Sequence, residues 1–187
     1  MSMRDAVKWN QRYQTPERAT RATPRSCLIE QAEVLPHQGL ALDIAMGLGC
    51  NAAYLSARGL RVIGLDISEV AVRAATARCP SLHAAVVDLS HFTLPPAMFD
   101  VIVNFYFLDR RLWPVYRQAL KPGGVLIAET LTCAMQTIRP DIDPVQLLQP
   151  GELQATFHDW ETITYREAWI DHENCHRAVA SLVARRP

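Results

Sequence analysis

The chain has 187 residues, 49% of them hydrophobic, enough for one substantial core and too few for two ordinary domains. Lysine plus arginine and aspartate plus glutamate balance at 19 each, so no net field draws in nucleic acid or an anionic membrane, and a small-molecule partner is favoured. Five scattered cysteines without a CxxC pair argue against a disulfide framework or zinc knuckle and for a reducing, cytoplasmic compartment, and nothing in the sequence targets or anchors the chain.

Ala6, Trp9 and Tyr13 share one helical face, which predicts a short amphipathic helix at the start. Residues 14–25 show no periodicity and read as a mobile polar segment. Leu28, Ile29, Ala32 and Leu35 make a second helical stripe, stopped by Pro36 and Gly39. Strand, turn and helix then alternate. Strands are predicted at 40–45, 61–65, 82–87, 101–105 and 125–129. Helices are predicted at 51–58, at 68–78 with Ser68 as cap, and from about 110 to 120. Lys121-Pro122-Gly123-Gly124 reads as a turn. Beyond Thr130 come three prolines, a helical turn near 152–157, and strand-like runs at 161–169 and 175–184 joined by the link 170–174.

This order predicts one α/β domain over 1–187, with N-terminal helices in 1–36 and the α/β core in 37–187. Its sheet is doubly wound, mostly parallel and seven-stranded, closed by a C-terminal antiparallel hairpin. Ligands of open α/β sheets bind beyond the carboxyl ends of the strands, where Asp43 to Gly49, Asp66 and Asp88 fall. Gly47 and Gly49 let backbone approach a ligand, and the following helix offers amide donors. The run Gly47-Leu48-Gly49-Cys50-Asn51-Ala52 also satisfies a dinucleotide fingerprint, with Asp66 placed as a ribose-binding acid. Asp43 separates the two readings: a carboxylate beside the turn repels a pyrophosphate and favours a ligand carrying a sulfonium and an ammonium.

With these residues in view, the sequence resembles the class I S-adenosylmethionine-dependent methyltransferases. Their first motif, an acid followed by three alternating glycines, is matched by Asp43-Ile44-Ala45-Met46-Gly47-Leu48-Gly49, with Ala45 in place of the first glycine. If the backbone at Ala45 has φ above zero, binding weakens; if below, the methyl costs little. The resemblance implies a Rossmann-like fold and S-adenosyl-L-methionine as cofactor. Asp66 would hold the ribose, Ile67 would lie against adenine, and Asp88 with Leu89 would sit near the adenine amino group. Asn104 and Tyr13 would complete the cofactor contacts. Phe99 to Val103 and Leu120 to Gly124 resemble the family's fourth-strand entry and the turn before its fifth strand. Within the family, the opening Trp9-Asn10-Gln11-Arg12-Tyr13, Asn104-Phe105 and Pro150-Gly151-Glu152-Leu153 are most similar to tellurite-resistance-type and related small-molecule enzymes.

The implied activity is direct in-line methyl transfer to a small-molecule acceptor, where orientation does most of the catalytic work. Catalytic candidates are Asn104 and Tyr106. Asp109 and Arg110 also fall at the mouth of the site, although Asp109 reads better as a helix cap. Asn104-Phe105-Tyr106-Phe107 lacks the two prolines found in enzymes that methylate nucleic-acid amino groups. Trp9, Arg12 and Tyr13 could close over the cofactor or simply dock on the sheet. The segment 171–176 carries metal-ligand residue types without a geometry that makes them converge, so no metal is expected. The cysteines read as small core residues, and the isolated histidines as solvated or capping groups. Two alternatives stay open: a non-catalytic binding or interaction module, kept alive by Ala45, and an NAD-linked oxidoreductase.

Overall fold

A computed structural model describes residues 3–15, 23–172 and 175–187. Most of the segment expected to be mobile, residues 16–22, and part of the link, residues 173–174, lie outside the described residues. The elements in chain order are α1 Met3–Tyr13, α2 Ser26–Glu30, β1 Leu40–Ile44, α3 Cys50–Ala57, β2 Arg61–Asp66, α4 Glu69–Arg78 and β3 His83–Val86. There follow β4 Phe99–Phe105, α5 Leu112–Ala119, β5 Leu120–Leu131, α6 Glu152–Thr156, β6 Glu161–His172 and β7 Cys175–Arg185.

The strands form one seven-stranded sheet in the order β3-β2-β1-β4-β5-β7-β6. Strands β1 to β5 pair in parallel, and β7 enters antiparallel between β5 and β6. The order reverses between β1 and β4, so the crevice for a ligand opens above their carboxyl ends. Alternation along the strands splits the core in two. Leu42, Ile44, Ile102, Leu126 and Leu182 bury one face under Leu112, Tyr116 and Ala119 of α5 and Leu153 of α6. Ala41, Val62, Val103, Ile127 and Val183 bury the other under Leu28 of α2, Leu55 of α3 and Ala75 of α4. Among the described residues no helix is long and apolar enough to cross a membrane.

Three local expectations change. The stripe 28–35 is helical only to Glu30 and continues as turns in which the Arg58 guanidinium donates to the Ala32 carbonyl at 2.6 Å; of its four apolar residues Leu28 and Leu35 are buried, while Ile29 is exposed. Helix α5 starts at Leu112, because Asp109 accepts the Arg111 amide at 3.0 Å and forms a turn just before it. The turn at 121–124 runs on into β5: the Gly123 amide donates to the Arg186 carbonyl at 2.8 Å, and the Arg186 amide to that of Gly124 at 2.9 Å.

The cysteines depart from expectation too. All five are free, but only Cys79 is buried, while Cys175 is exposed.

Candidate active site

The loop after β1 is built on left-handed backbone. Ala45 has φ +51°, Gly47 +54° and Gly49 +71°. Glycine takes such angles freely, whereas alanine pays roughly 1 to 2 kcal/mol. The unfavourable branch of the expectation for Ala45 is therefore the one realised. The glycines serve different constraints. A Cβ at position 47 would come within 2.8 Å of the Tyr13 hydroxyl, so α1 lies against the loop there. A Cβ at position 49 would meet the Ala75 methyl at 2.6 Å, so Gly49 is needed for close packing of α4.

Asp66 ends β2 and is buried, and burial raises its pKa, opposed by hydrogen bonds from backbone amides. Its Oδ2 accepts the Gly47 amide and its Oδ1 the Ser68 amide, both at 2.8 Å. The carboxylate thus holds the glycine loop and the start of α4 together. Asn10 of α1 joins the same corner: its Oδ1 accepts the Ser68 hydroxyl at 2.7 Å and the Val70 amide at 3.3 Å. Trp9 stacks on Tyr13 with ring centroids 5.7 Å apart.

Asp43 is 1% exposed, and its Oδ2 has no hydrogen-bond partner among the described residues. Burial pushes its pKa up to about 8; Asp66 adds to the rise, while a backbone hydrogen bond from Ala52 and the charge of Arg25 oppose it. A buried carboxyl group with a free oxygen beside a glycine loop is a receptor for a cation or a hydrogen-bond donor. This fits the ammonium and sulfonium of S-adenosylmethionine and disfavours a pyrophosphate.

At the end of β4, Asn104 is buried and donates through Nδ2 to the Tyr116 hydroxyl at 2.8 Å, leaving Oδ1 unpartnered. Burial drives the Tyr116 hydroxyl far above its ordinary pKa, so it stays neutral. Tyr106 follows with φ +57°, its amide held by the Glu129 carbonyl at 2.8 Å. Glu129 is itself buried, and its Oε2 accepts the Ser181 hydroxyl at 2.6 Å. A cavity of about 240 Å³ adjoins this carboxylate and is also lined by Cys27, Glu30, Arg166, Asp171 and Ser181. Burial, with the nearby Glu129 and Glu30, pushes the Cys27 thiol up to about 12, so it is protonated at neutral pH.

The structure thus gathers Tyr13, Asp43, Ala45, Gly47 and Asp66 around one loop, with Asn104 on the strand beside β1. Ile67 and Leu89 are buried. Asp88 is exposed and accepts the amide and hydroxyl of Ser90 at 2.9 and 2.6 Å. Asp109 and Arg110 are committed elsewhere. Asp109 pairs with Arg111 at 2.6 Å, while Arg110 pairs with Glu152 at 2.5 Å and donates to the Val145 and Leu147 carbonyls, tying down the segment before α6. His176 pairs with Asp171 at 2.8 Å and stacks on Trp169.

Sequence reasoning missed Asn10, Asn51, Arg25 and Tyr116. Asn51 Oδ1 accepts the Arg25 amide at 2.9 Å, anchoring α2 to the first turn of α3. Asn10 stands inside the quoted opening motif, so the motif itself carried the signal for that residue.

A mostly parallel sheet with this strand order, a left-handed glycine loop after β1 and an acid closing β2 define a Rossmann-like α/β protein for a nucleoside-bearing cofactor. Residues 41–124 match the family model described as a methyltransferase domain. A probable S-adenosylmethionine-dependent methyltransferase of Mycolicibacterium smegmatis is 34% identical over 95 residues, covering 48% of this chain and 37% of that one. A probable thiol methyltransferase of Arabidopsis thaliana is 30% identical over 142 residues, covering 68% and 62%. TehB from Haemophilus influenzae superposes with a TM-score of 0.72 at 19% identity, over 97% of this chain and 67% of that one. Residues 41–124 thus match a methyltransferase domain, and the chain is similar to S-adenosylmethionine-dependent methyltransferases. It spans between about a third and three fifths of the length of the curated relatives it matches.

Proposed function

We propose that the protein transfers the methyl group of S-adenosylmethionine directly to a small-molecule acceptor, with residues 1–187 acting as one catalytic domain, and that it works in the cytoplasm. The observation that carries the reading is Asp43, a buried carboxyl group with an unpartnered oxygen beside the glycine loop. When bound, the cofactor supplies an activated methyl: the acceptor's lone pair forms the new bond, the carbon–sulfur bond breaks, and its electron pair stays on sulfur. Asp43 orients the cationic end of the cofactor, Gly47 and its neighbours supply close backbone, and Asp66 fixes that loop while turning toward the ribose. Ile67, Asp88 and Leu89 flank the adenine side. Asn104 directs its free Oδ1 at a donor on the cofactor or acceptor, and Tyr106 shapes the acceptor side. The first helix closes over the site, with Tyr13 lying on Gly47.

A small-molecule acceptor is supported by the modest cavity beside Glu129, and by the relative from Arabidopsis thaliana whose name specifies a thiol. The test is transfer of labelled methyl groups across a panel of thiols, amines and carboxylates. Appearance of one methylated product with equimolar S-adenosylhomocysteine supports the reading. Tight cofactor binding without any product would favour a non-catalytic module.

A further inference from the structure

Besides Asp43 and Asp66, which belong to the glycine loop, one more acid is buried among the described residues: Glu129 of β5, 5% exposed. Its only hydrogen bond among them comes from the Ser181 hydroxyl to Oε2, and it forms no ion pair with them. A carboxylate stripped of water and held by one neutral hydroxyl is costly to bury, so its second oxygen calls for a donor. That oxygen is not sealed in, unlike the orphaned oxygens of Asp43 and Asn104, and Glu129 borders the cavity of about 240 Å³ beside α2.

The sheet register places this group. Phe105, Glu129, Ser181 and Arg166 stand side by side on β4, β5, β7 and β6, one residue beyond the level of Asn104. Glu129, Ser181 and Val183 form the buried floor of the cavity, while Glu30, Arg166 and Asp171, of both signs, line it from exposed positions. A charge on the dry floor acts more strongly than charges that water screens, so the floor sets the sign. The Cys27 thiol feels the same field: burial first, then Glu129 and Glu30, push it up to about 12. A place that resists a thiolate favours a cation. Arg25 and Arg177 lie over the Tyr106 ring, at 4.5 and 5.0 Å from its centroid, and neither pairs with Glu129.

We propose that Glu129 receives the ammonium group of a small amine acceptor in this cavity and takes its proton, so that the atom methylated is nitrogen. The Ser181 hydroxyl holds Oε2, which leaves Oε1 to meet the ammonium. One proton passes from the ammonium to Oε1, and the freed nitrogen lone pair forms the bond to the cofactor's methyl carbon. The carbon–sulfur bond breaks with its electron pair left on sulfur, the product is a methylated ammonium, and the proton on Glu129 returns to water through the cavity. A volume of about 240 Å³ lies below the roughly 300 to 1,000 Å³ of pockets for drug-sized ligands, so the amine is small. That the amine is methylated rests on the methyltransferase reading; that the cavity binds an ammonium does not.

The probes are n-butylamine, 1-butanol and butyrate, which share a chain and differ in charge. Their dissociation constants are measured by saturation-transfer NMR at pH 7 on protein loaded with S-adenosylhomocysteine, for the parent chain and for Glu129→Gln. Asp159→Asn serves as control, since it removes a like charge where Asp159 pairs with Arg117, under the other face of the sheet. The parent should bind butylammonium at least tenfold more tightly than the other two probes. That preference should fall below twofold in Glu129→Gln, whose amide oxygen can still accept the Ser181 hydroxyl, and stay within twofold of the parent's in the control. Melting followed by circular dichroism confirms that the variants fold. Absent or unselective binding of butylammonium by the parent, or a preference unchanged in Glu129→Gln, would overturn the site. Across a panel of amines, thiols and carboxylates, labelled methyl should appear on nitrogen; label on sulfur or oxygen alone would overturn the acceptor assignment. No labelled product at all, or failure of S-adenosylhomocysteine to bind, would instead strike the methyltransferase reading, with the same titration of cofactor-free protein deciding the ammonium site.

Discussion

Asp66, the last residue of β2, accepts the amide of Gly47 in the loop after β1 at 2.8 Å, so one buried carboxylate fixes the shape of the glycine loop. Removing it does two things at once. Asp66→Ala leaves the Gly47 and Ser68 amides without their partner, which costs roughly 1 to 3 kcal/mol for each buried donor that water cannot reach. We expect urea unfolding to show a loss of that order with the domain still folded, and calorimetry to show S-adenosylhomocysteine binding at least about 100-fold weaker, as loss of a charged contact worth about 3 kcal/mol requires. An unchanged dissociation constant would refute the ribose contact.

Asp43 predicts a pH dependence of defined sign. Its carboxyl is pushed up from an ordinary value of 3.8 to about 8, so between those limits the folded chain holds a proton that the unfolded chain has released. Stability contributed by this group is complete below pH 3.8 and is lost as pH rises through about 8. The cofactor-free protein should lose stability as pH rises across that window, and Asp43→Asn should flatten the slope. Binding runs the other way: a cationic ligand prefers the ionised carboxylate, so affinity for S-adenosylmethionine should rise toward pH 8 and above. Titrations at several pH values check both signs, and a flat affinity profile would count against Asp43 as the cation's partner.

At Ala45, φ +51° puts a methyl-bearing residue in glycine's territory. Relief of about 1 to 2 kcal/mol of strain outweighs the added freedom of an unfolded glycine, about 0.4 to 1 kcal/mol, so Ala45→Gly should stabilise the protein by up to roughly 1.6 kcal/mol. Cofactor affinity should hold or improve. Denaturant midpoints and calorimetry on the two proteins decide it.

Tyr116 lies deep under the sheet, yet it holds the Asn104 amide by a hydrogen bond of 2.8 Å. Tyr116→Phe keeps the ring and frees the amide. We expect about 1 kcal/mol of lost stability and a several-fold weaker cofactor or acceptor interaction, with Asn104→Ala causing the same defect more severely. If Tyr116→Phe alters stability alone, Asn104 does not depend on that bond for its role.

The link between Asn10 and Ser68 fastens α1 over the loop. Asn10→Ala should therefore speed release of S-adenosylhomocysteine about tenfold, as loss of roughly 1.4 kcal/mol from the closed state implies, with little change in the association rate. Stopped-flow fluorescence of Trp9 reads this directly. Equal dissociation rates would reduce α1 to a docked helix.

Much of this was legible in the sequence because its signals are local. The acid-and-glycine turn from Asp43 to Gly49, the Ser68 cap and the alternation of strand with helix each lie within a few residues, and each appears where its spacing predicts. The residues that escaped depend on contacts made across the chain. Arg25 belonged to a segment without periodicity, and only the fold brings it to Tyr106, 81 positions later, and to Arg177 beyond. Asn104 was legible as a strand-end polar residue, but its partner Tyr116 read as one more core aromatic of α5. The left-handed backbone at Tyr106 could not be foreseen, since tyrosine does not favour it, whereas at Ala45 the motif position of a glycine left both signs of φ open.

The central claim, that the crevice receives a sulfonium nucleoside and not a dinucleotide, is tested most directly by calorimetric titration of the protein with S-adenosylmethionine, S-adenosylhomocysteine and NAD in parallel. The account predicts micromolar binding of both sulfur compounds and none of NAD. Binding of NAD alone would contradict it, since Asp43 and Asp66 could not then be the carboxylates around which the loop is built.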